Sequence, residues 1–282
     1  MNTPKRLTID GNYCITSKIG RGSFGKIYKG VDMRNNNNVA IKIENKPIKK
    51  TTYIYREGYI YYLIKQHHEV SHLGDSLWCG YTDTHDFLVM PLYGQNIRNY
   101  LIRQKWNRLG WIKIARDTLQ AIDQLHSCKI LHRDIKPENF VWNLEHTKII
   151  LIDFGLSVTF SHTKNTKWVG TPKFTSPWIG TNKNYKYSCI DDLSSWWLMM
   201  LWVWNRGKLP WTCKIGNKNL TPKESCKELQ KLQLQKKKWL IDFFSRKDLH
   251  KITTLHTWFI EKGKNIHQDI YDVIPEDNPR SI

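Results

Sequence analysis

The hydrophobic rhythm of the chain changes once along its length. Over residues 12–45, apolar and β-branched side chains alternate with polar ones in YCITSKIG, KIYKGVD and NVAIKIE. A period of two sends successive side chains to opposite faces. The alternation therefore predicts three strands, with turns at the glycines and at Asn35–Asn38. Residues 51–68 carry a helical pattern, and FLVMPLY (87–93) is a further strand. From Ile97 onward the period lengthens, first in NYLIRQKW and then in WIKIARDTLQAIDQLHS. In the second stretch Trp111, Ile114, Ala115, Thr118, Leu119 and Ile122 share one helical face. KIILID (148–153) is a short apolar strand, and the remainder reads as helices and loops without internal repeats. The pattern predicts a strand-rich N-terminal lobe and a helical C-terminal lobe, joined near residues 91–96.

Composition agrees with a packed protein. Hydrophobic residues make up 40% of the 282, with 13 Trp, 13 Tyr and 9 Phe, enough for a sizeable core. The run WWLMMLWVW (196–204) is well short of the ~20 apolar residues that span a bilayer, and Asp191, Asp192 and Asn205 bound it. It predicts a buried core helix, and no membrane partner is expected. Six cysteines, at positions 14, 79, 128, 189, 213 and 226, form no CxxC pair, so neither a zinc site nor a disulfide framework is suggested. The segment MNTPKRLTIDGNY lacks the apolar core of a secretory signal. An intracellular location, cytoplasm or nucleus, is expected.

Charge adds one constraint. The 44 Lys and Arg against 25 Asp and Glu leave a net +19, which favours acidic partners such as nucleic acid, anionic lipid or acidic protein segments. The basic residues are spread out, and only Lys236-Lys237-Lys238 forms a tight run, read as a solvated surface. Neither a nucleic-acid-binding motif nor an aromatic–basic platform accompanies the charge, so nucleic acid stays open as a partner on charge alone.

The chemistry is concentrated in a few short stretches. IGRGSFGKIYKG places Gly20, Gly22 and Gly25 in a G-x-G-x-x-G pattern, which lets a turn lie close over phosphates with backbone N–H groups facing the anion. A dinucleotide-binding turn with the same letters needs a helix after the glycines. Here KIYKGVD reads as a strand, so the pattern sits in a hairpin. Lys42 stands in the middle of the apolar strand VAIKIE, and Glu57 lies in the helical stretch REGYIYYLIKQ. Such a pair holds an ammonium toward nucleotide phosphates. Glu69 is the rival partner, beyond the expected helix end.

The stretch ILHRDIKPENF (130–140) completes the set. Asp134 reads as the group that accepts a hydroxyl proton, Lys136 as the neutraliser of phosphoryl charge, and Asn139 as an amide ligand to Mg²⁺. In LIDFGLS, Asp153 follows a short strand and precedes a glycine, and its carboxylate suits a second Mg²⁺ contact.

These motifs, in this order, resemble those of eukaryotic-type protein kinases over residues 12–275. The closer resemblance is to the casein kinase I superfamily, which includes the vaccinia-related kinases. It is carried by REGYIYYLIKQ, by VMPLYGQNI, and by GTPKFTS with DDLSSWWLMMLWVWNRGKLPW. The resemblance implies an α+β, bilobal kinase domain over 1–282: an antiparallel-sheet N-lobe at 12–92 and a mostly helical C-lobe at 93–275. It implies an ATP- and Mg²⁺-dependent Ser/Thr protein kinase acting on acidic or phosphate-primed protein segments, and a monomer. A catalytically weak scaffold or a basic nucleic-acid-associated protein is the alternative, but a scaffold typically lacks Lys42, Asp134 or Asp153, and all three are present.

Position by position, the resemblance places ATP against Ile19, Gly20, Gly22, Gly25, Ile27, Ala40 and Lys42. Met90 becomes the gatekeeper, with the Pro91 carbonyl and the Tyr93 amide meeting adenine. Thr171 would bond to Asp134 and Lys136, and Asp192 would anchor the catalytic loop. Lys173 matches a basic residue that meets a phosphate or acidic group on the substrate, with Lys214 and Lys218 as weaker companions. Two departures from the wider kinase pattern stand out: TSPW replaces Ala-Pro-Glu, whose Glu the casein kinases also lack, and Trp197 stands where glycine is usual.

Overall fold

The computed structural model describes residues 8–21, 25–46, 52–103, 108–162, 169–179, 185–211 and 222–244. Its N-terminal part is a six-stranded antiparallel sheet. The strands are β1 (Thr8–Ile9), β2 (Tyr13–Arg21), β3 (Lys26–Asp32), β4 (Asn37–Asn45), β5 (Trp78–Tyr81) and β6 (His85–Pro91), in the order β1-β2-β3-β4-β6-β5. The three alternating stretches of the sequence are β2, β3 and β4. In the turn between β3 and β4, Asn36 takes a left-handed conformation (φ 58), which asparagine tolerates better than most residues. Strand β5 was not legible in the hydrophobic pattern, because WCGY is short and carries a glycine.

Helix α1 (Tyr53–Lys65) connects β4 to β5. Thr52 caps it: its hydroxyl accepts from Tyr55 N (3.3 Å) and is bonded to the Asp86 carboxylate. Ile54, Glu57, Ile60, Tyr61 and Ile64 form its buried face at helical spacing. Glu57 is thus a carboxylate on an otherwise apolar and aromatic stripe. Glu69, the rival, lies past the helix end.

The C-terminal part holds α2 (Ile97–Arg103), α3 (Arg108–Ser127), α4 (Cys189–Trp204) and α5 (Pro222–Phe244). Four short strands carry the catalytic-loop region: β7 (Ile130–Leu131), β8 (Phe140–Trp142), β9 (Ile149–Leu151) and β10 (Val158–Thr159). β8 pairs with β9 and β7 with β10, so residues 132–139 and 152–157 are presented from two adjacent hairpin-like ladders. On α3, Ile114, Ala115, Thr118, Leu119 and Ile122 are fully buried, as the sequence pattern requires, and Trp111 is half-buried. Thr118 Oγ1 accepts from Trp196 Nε1 at 2.8 Å, which pins α4 to α3.

The run 196–204 is the core helix expected of it. Trp196, Leu198, Met199, Met200, Trp202 and Val203 are buried, and among the described residues no helix is long and apolar enough to cross a membrane. Asp191 accepts from the Ser188 backbone N–H (2.9 Å) and fixes the helix start. Trp197, in place of glycine, packs half-buried against the main core. That core is continuous: Ala40, Leu88 and Met90 from the sheet join Leu119, Phe140, Leu151, Phe154 and Met199 from the helical part. This is the α+β bilobal architecture expected from the sequence.

One expectation fails. The run Lys236-Lys237-Lys238 is not a solvated surface: Lys236 is fully buried, Lys237 half-buried, and only Lys238 exposed. The cause is the face that α5 turns inward, where Leu229, Leu232, Gln233 and Lys236 recur at helical spacing and are all buried.

Candidate active site

A cleft of about 520 Å³ opens between the sheet and the helical part. Ile19, Gly20, Ile27, Ala40, Lys42, Met90, Pro91 and Tyr93, the residues the resemblance sets against ATP, line it on the sheet and hinge side. Glu57, Lys136, Asn139, Asp153 and Thr171 line its other side. Gly25 is not part of the lining. A Cβ there would sit 2.3 Å from the Ile43 carbonyl oxygen, so this glycine is required by the close crossing of the β2–β3 turn over β4. Gly22, Lys214 and Lys218 lie outside the described residues.

The hinge is held to the helical part by backbone bonds. Gly94 N donates to Trp142 O (2.7 Å), and Trp142 N donates to Gln95 O (3.0 Å). A Cβ on Gly94 would meet Trp142 O at 3.0 Å, so the chain crosses β8 closely here.

Lys42 is the centre of the charge network. In the middle of β4, its Nζ donates to Glu57 Oε2 and to Asp153 Oδ1, each at 2.7 Å. Burial opposes its charge, but the carboxylates of Asp153 and Glu57 outweigh burial and hold its pKa well above the usual range. The two carboxylates respond differently. Burial pushes Glu57 up, only partly relieved by Lys42, while at Asp153 the ammonium overcomes burial and leaves the pKa lowered. Glu57 also accepts from Phe154 N through Oε1 (3.1 Å), tying α1 to the segment after β9.

Asp153 has left-handed backbone geometry (φ 67, ψ 68), unusual for a non-glycine residue. With Oδ1 held by Lys42, Oδ2 has no hydrogen-bond partner among the described residues. Asn139 Nδ2 donates to the Asp134 carbonyl (2.9 Å), which leaves its amide oxygen as an acceptor. Two hard oxygen donors at the cleft wall fit Mg²⁺, which binds through one or two protein groups and completes its shell with phosphate and water. Among the described residues no cluster of three His, Cys, Asp or Glu could hold a metal ion by itself.

Asp134 is fixed from several directions. Oδ2 accepts from Lys136 Nζ (2.5 Å), and Oδ1 accepts from Thr171 Oγ1 (2.7 Å). Lys136 Nζ also donates to Thr171 Oγ1 at 3.3 Å. Gly170 makes this approach feasible: its φ is +97, and a Cβ would lie 2.4 Å from the Arg133 carbonyl oxygen.

Sequence reasoning assigned no role to His132, which is fully buried. Its Nδ1 accepts from Asp134 N (3.2 Å), so its proton sits on Nε2, facing the Ile152 carbonyl at 3.2 Å. Burial lowers its pKa, consistent with a neutral ring. Asp192 performs the anchoring expected of it, since its carboxylate accepts from His132 N (2.7 Å) and Arg133 N (2.9 Å). It also contacts His126 Nε2 (3.0 Å) and the Tyr187 hydroxyl (2.8 Å).

Val141 and Ile152 also line the cleft and were not singled out beforehand. The signal available for them was adjacency, since one lies two residues past Asn139 and the other directly precedes Asp153. Lys173 is half-buried and outside the cleft lining, with its ammonium 5.3 Å from the Trp202 ring and 5.7 Å from the Phe174 ring.

Comparison with known families agrees with this geometry. The family model described as protein kinase domain matches residues 13–261.

Proposed function

The chain belongs to the protein kinase family, and from that premise we propose that it is a serine/threonine kinase of the casein kinase I type, using ATP and Mg²⁺. The observation that carries the reading is the Thr171 hydroxyl shared between Asp134 and Lys136. It holds the carboxylate and the ammonium together at the cleft, where a substrate alcohol and the γ-phosphoryl group would meet.

In this reading the substrate hydroxyl oxygen attacks the γ-phosphorus, the bond to the β,γ-bridging oxygen breaks, and ADP leaves. Asp134 accepts the hydroxyl proton, and Lys136 offsets negative charge on the transferred group. Lys42, set by Glu57, aligns the α and β phosphates from the opposite wall. Asn139 and Asp153 would hold Mg²⁺, which would supply neutralisation of phosphate charge. Ile27, Ala40 and Met90 supply the apolar wall for adenine, with the Pro91 carbonyl and the Tyr93 amide as its polar contacts.

The casein kinase I assignment is supported by the resemblances in VMPLYGQNI and in DDLSSWWLMMLWVWNRGKLPW. A preference for acidic or phosphorylated segments is supported by Lys173 and by the net charge of +19. The test is direct. Purified protein with labelled ATP and peptides differing only in a Ser, Thr or Tyr acceptor should label Ser and Thr. Label confined to Tyr would overturn the serine/threonine reading.

A further inference from the structure

Helix α5 carries two buried polar side chains that the chemistry above does not use. Lys236 is fully buried, and its Nζ donates to the carbonyls of Pro172 (2.7 Å) and Thr175 (2.6 Å). One turn earlier, Gln233 is also buried, and its Nε2 donates to the carbonyls of Ser176 (2.7 Å) and Ile179 (3.2 Å). Four carbonyls of one irregular segment, 172–179, are therefore held from a single helix face.

The orientation of Gln233 follows from these bonds. Reversing the amide would point its oxygen at two carbonyl oxygens, so the donor side must face the segment even though Oε1 is left without a partner. A backbone without regular structure must satisfy its buried carbonyls by other means. Here α5 supplies the donors.

The segment so held directly follows Thr171, which bridges Asp134 and Lys136, and includes Lys173. Trp211 joins the arrangement from another direction, donating through Nε1 to the Lys173 carbonyl at 3.2 Å. We propose that Lys236 and Gln233 are positioning residues that fix segment 171–179 as the platform on which the protein substrate lies. This rests on the kinase reading for its activity arm. The lysine serves here as a three-donor group directed at backbone, which explains why the basic run is not on the surface. The sequence TSPW stands in this segment in place of Ala-Pro-Glu, and α5 holds the segment through its carbonyls.

Two variants and two measurements test the assignment. Lys236→Met removes all donors, and Gln233→Leu removes the second pair with similar volume. In each, the KM for a serine peptide should rise about tenfold while the KM for ATP stays within twofold. Amide hydrogen exchange over 171–179 should accelerate at least tenfold, with 130–139 unchanged. Should Lys236→Met fail to fold, Gln233→Leu decides alone. Equal shifts in peptide and ATP KM, or exchange that accelerates in both segments, would reduce the pair to general stability and overturn the proposal, as would no change in either measurement. If the unmodified protein labels no peptide, the kinase reading fails, but the exchange measurement still decides whether α5 holds the segment.

Discussion

Thr171 Oγ1 donates to Asp134 Oδ1 across 2.7 Å, joining residues 37 positions apart in the chain. The same oxygen accepts from Lys136, so one hydroxyl orients both groups proposed to act on the phosphoryl transfer. Two predictions separate the chemistry from its orientation. Asp134→Asn should lower kcat by ~10²–10⁴ with little change in ATP affinity, because the proton acceptor is gone and the fold's contacts largely remain. Thr171→Val keeps volume and removes only the bridge, so it should lower kcat by a smaller factor. Steady-state kinetics on both variants checks this, and near-normal turnover in Asp134→Asn would contradict the assigned base.

Asp153 is expected to act through the metal. In the unmodified protein, ATP should raise the melting temperature much more with Mg²⁺ than with EDTA. Asp153→Asn should abolish that difference, because a neutral amide is a weaker ligand for a hard cation. A thermal-shift series over both nucleotide conditions reads it directly, and an unchanged Mg²⁺ increment in the variant would move the metal elsewhere.

Much of this site was legible in the sequence because its chemistry is local. Asp134, Lys136 and Asn139 lie within one short loop, and the pattern of VAIKIE was enough to put Lys42 in the middle of an apolar strand. The choice of Glu57 over Glu69 followed from the expected end of a helix, and the structure agrees. What stayed hidden depends on packing between distant segments. β5 exists because β6 offers it an edge, and nothing in WCGY announces a strand. Gly25 fits the phosphate-turn pattern, yet the constraint on it is the backbone of β4. Lys236 was misread because charge normally marks solvent, whereas here the carbonyls of Pro172 and Thr175 accept from the buried ammonium.

Lys42 provides a stability test. Removing it leaves Glu57 and Asp153 near one another without their shared cation, and breaking a buried ion pair from one side costs roughly 3–5 kcal/mol. Lys42→Met should therefore lower unfolding stability by an amount in that range. Adding Glu57→Gln should recover part of it, since a neutral amide keeps the acceptor for Phe154 N and removes buried negative charge. Urea unfolding of both variants gives the comparison. A double variant less stable than Lys42→Met would show that the carboxylate is held by something other than the lysine.

His126 sets a pH dependence. Its ring is buried against Asp192, with Cys189 also in contact and Asp123 nearby. Burial is the largest single influence and opposes protonation, but the hydrogen bonds and charge supplied by Asp192 and Cys189 together outweigh it and raise the pKa to about 9. Because the folded value exceeds that of the unfolded chain, the stabilisation is full below about pH 6.5 and is lost as pH rises through about 9. The loss should be on the order of 3 kcal/mol across that window. His126→Gln should flatten this part of the stability profile. Parallel profiles for the two proteins would assign the dependence to other groups.

Lys173 carries the last prediction, which concerns substrate choice. Its ammonium lies over Trp202 and Phe174 and so is partly supported by the ring faces while remaining half-exposed. Its position beside Thr171, on the segment held by α5, would bring an acidic or phosphorylated side chain of a bound peptide within reach. A charge-assisted hydrogen bond to phosphate contributes roughly 1.5–3 kcal/mol, or about tenfold or more in kcat/KM. Lys173→Glu should accordingly weaken acidic and phosphate-primed peptides far more than neutral ones, and added salt should narrow the gap in the unmodified protein. Lys173→Met separates charge from packing, since it keeps an apolar stem against the two rings. If Lys173→Met loses activity equally on acidic and neutral peptides, the lysine supports the platform and does not read the substrate. The net charge of +19 would then have to meet its partner on another face of the molecule.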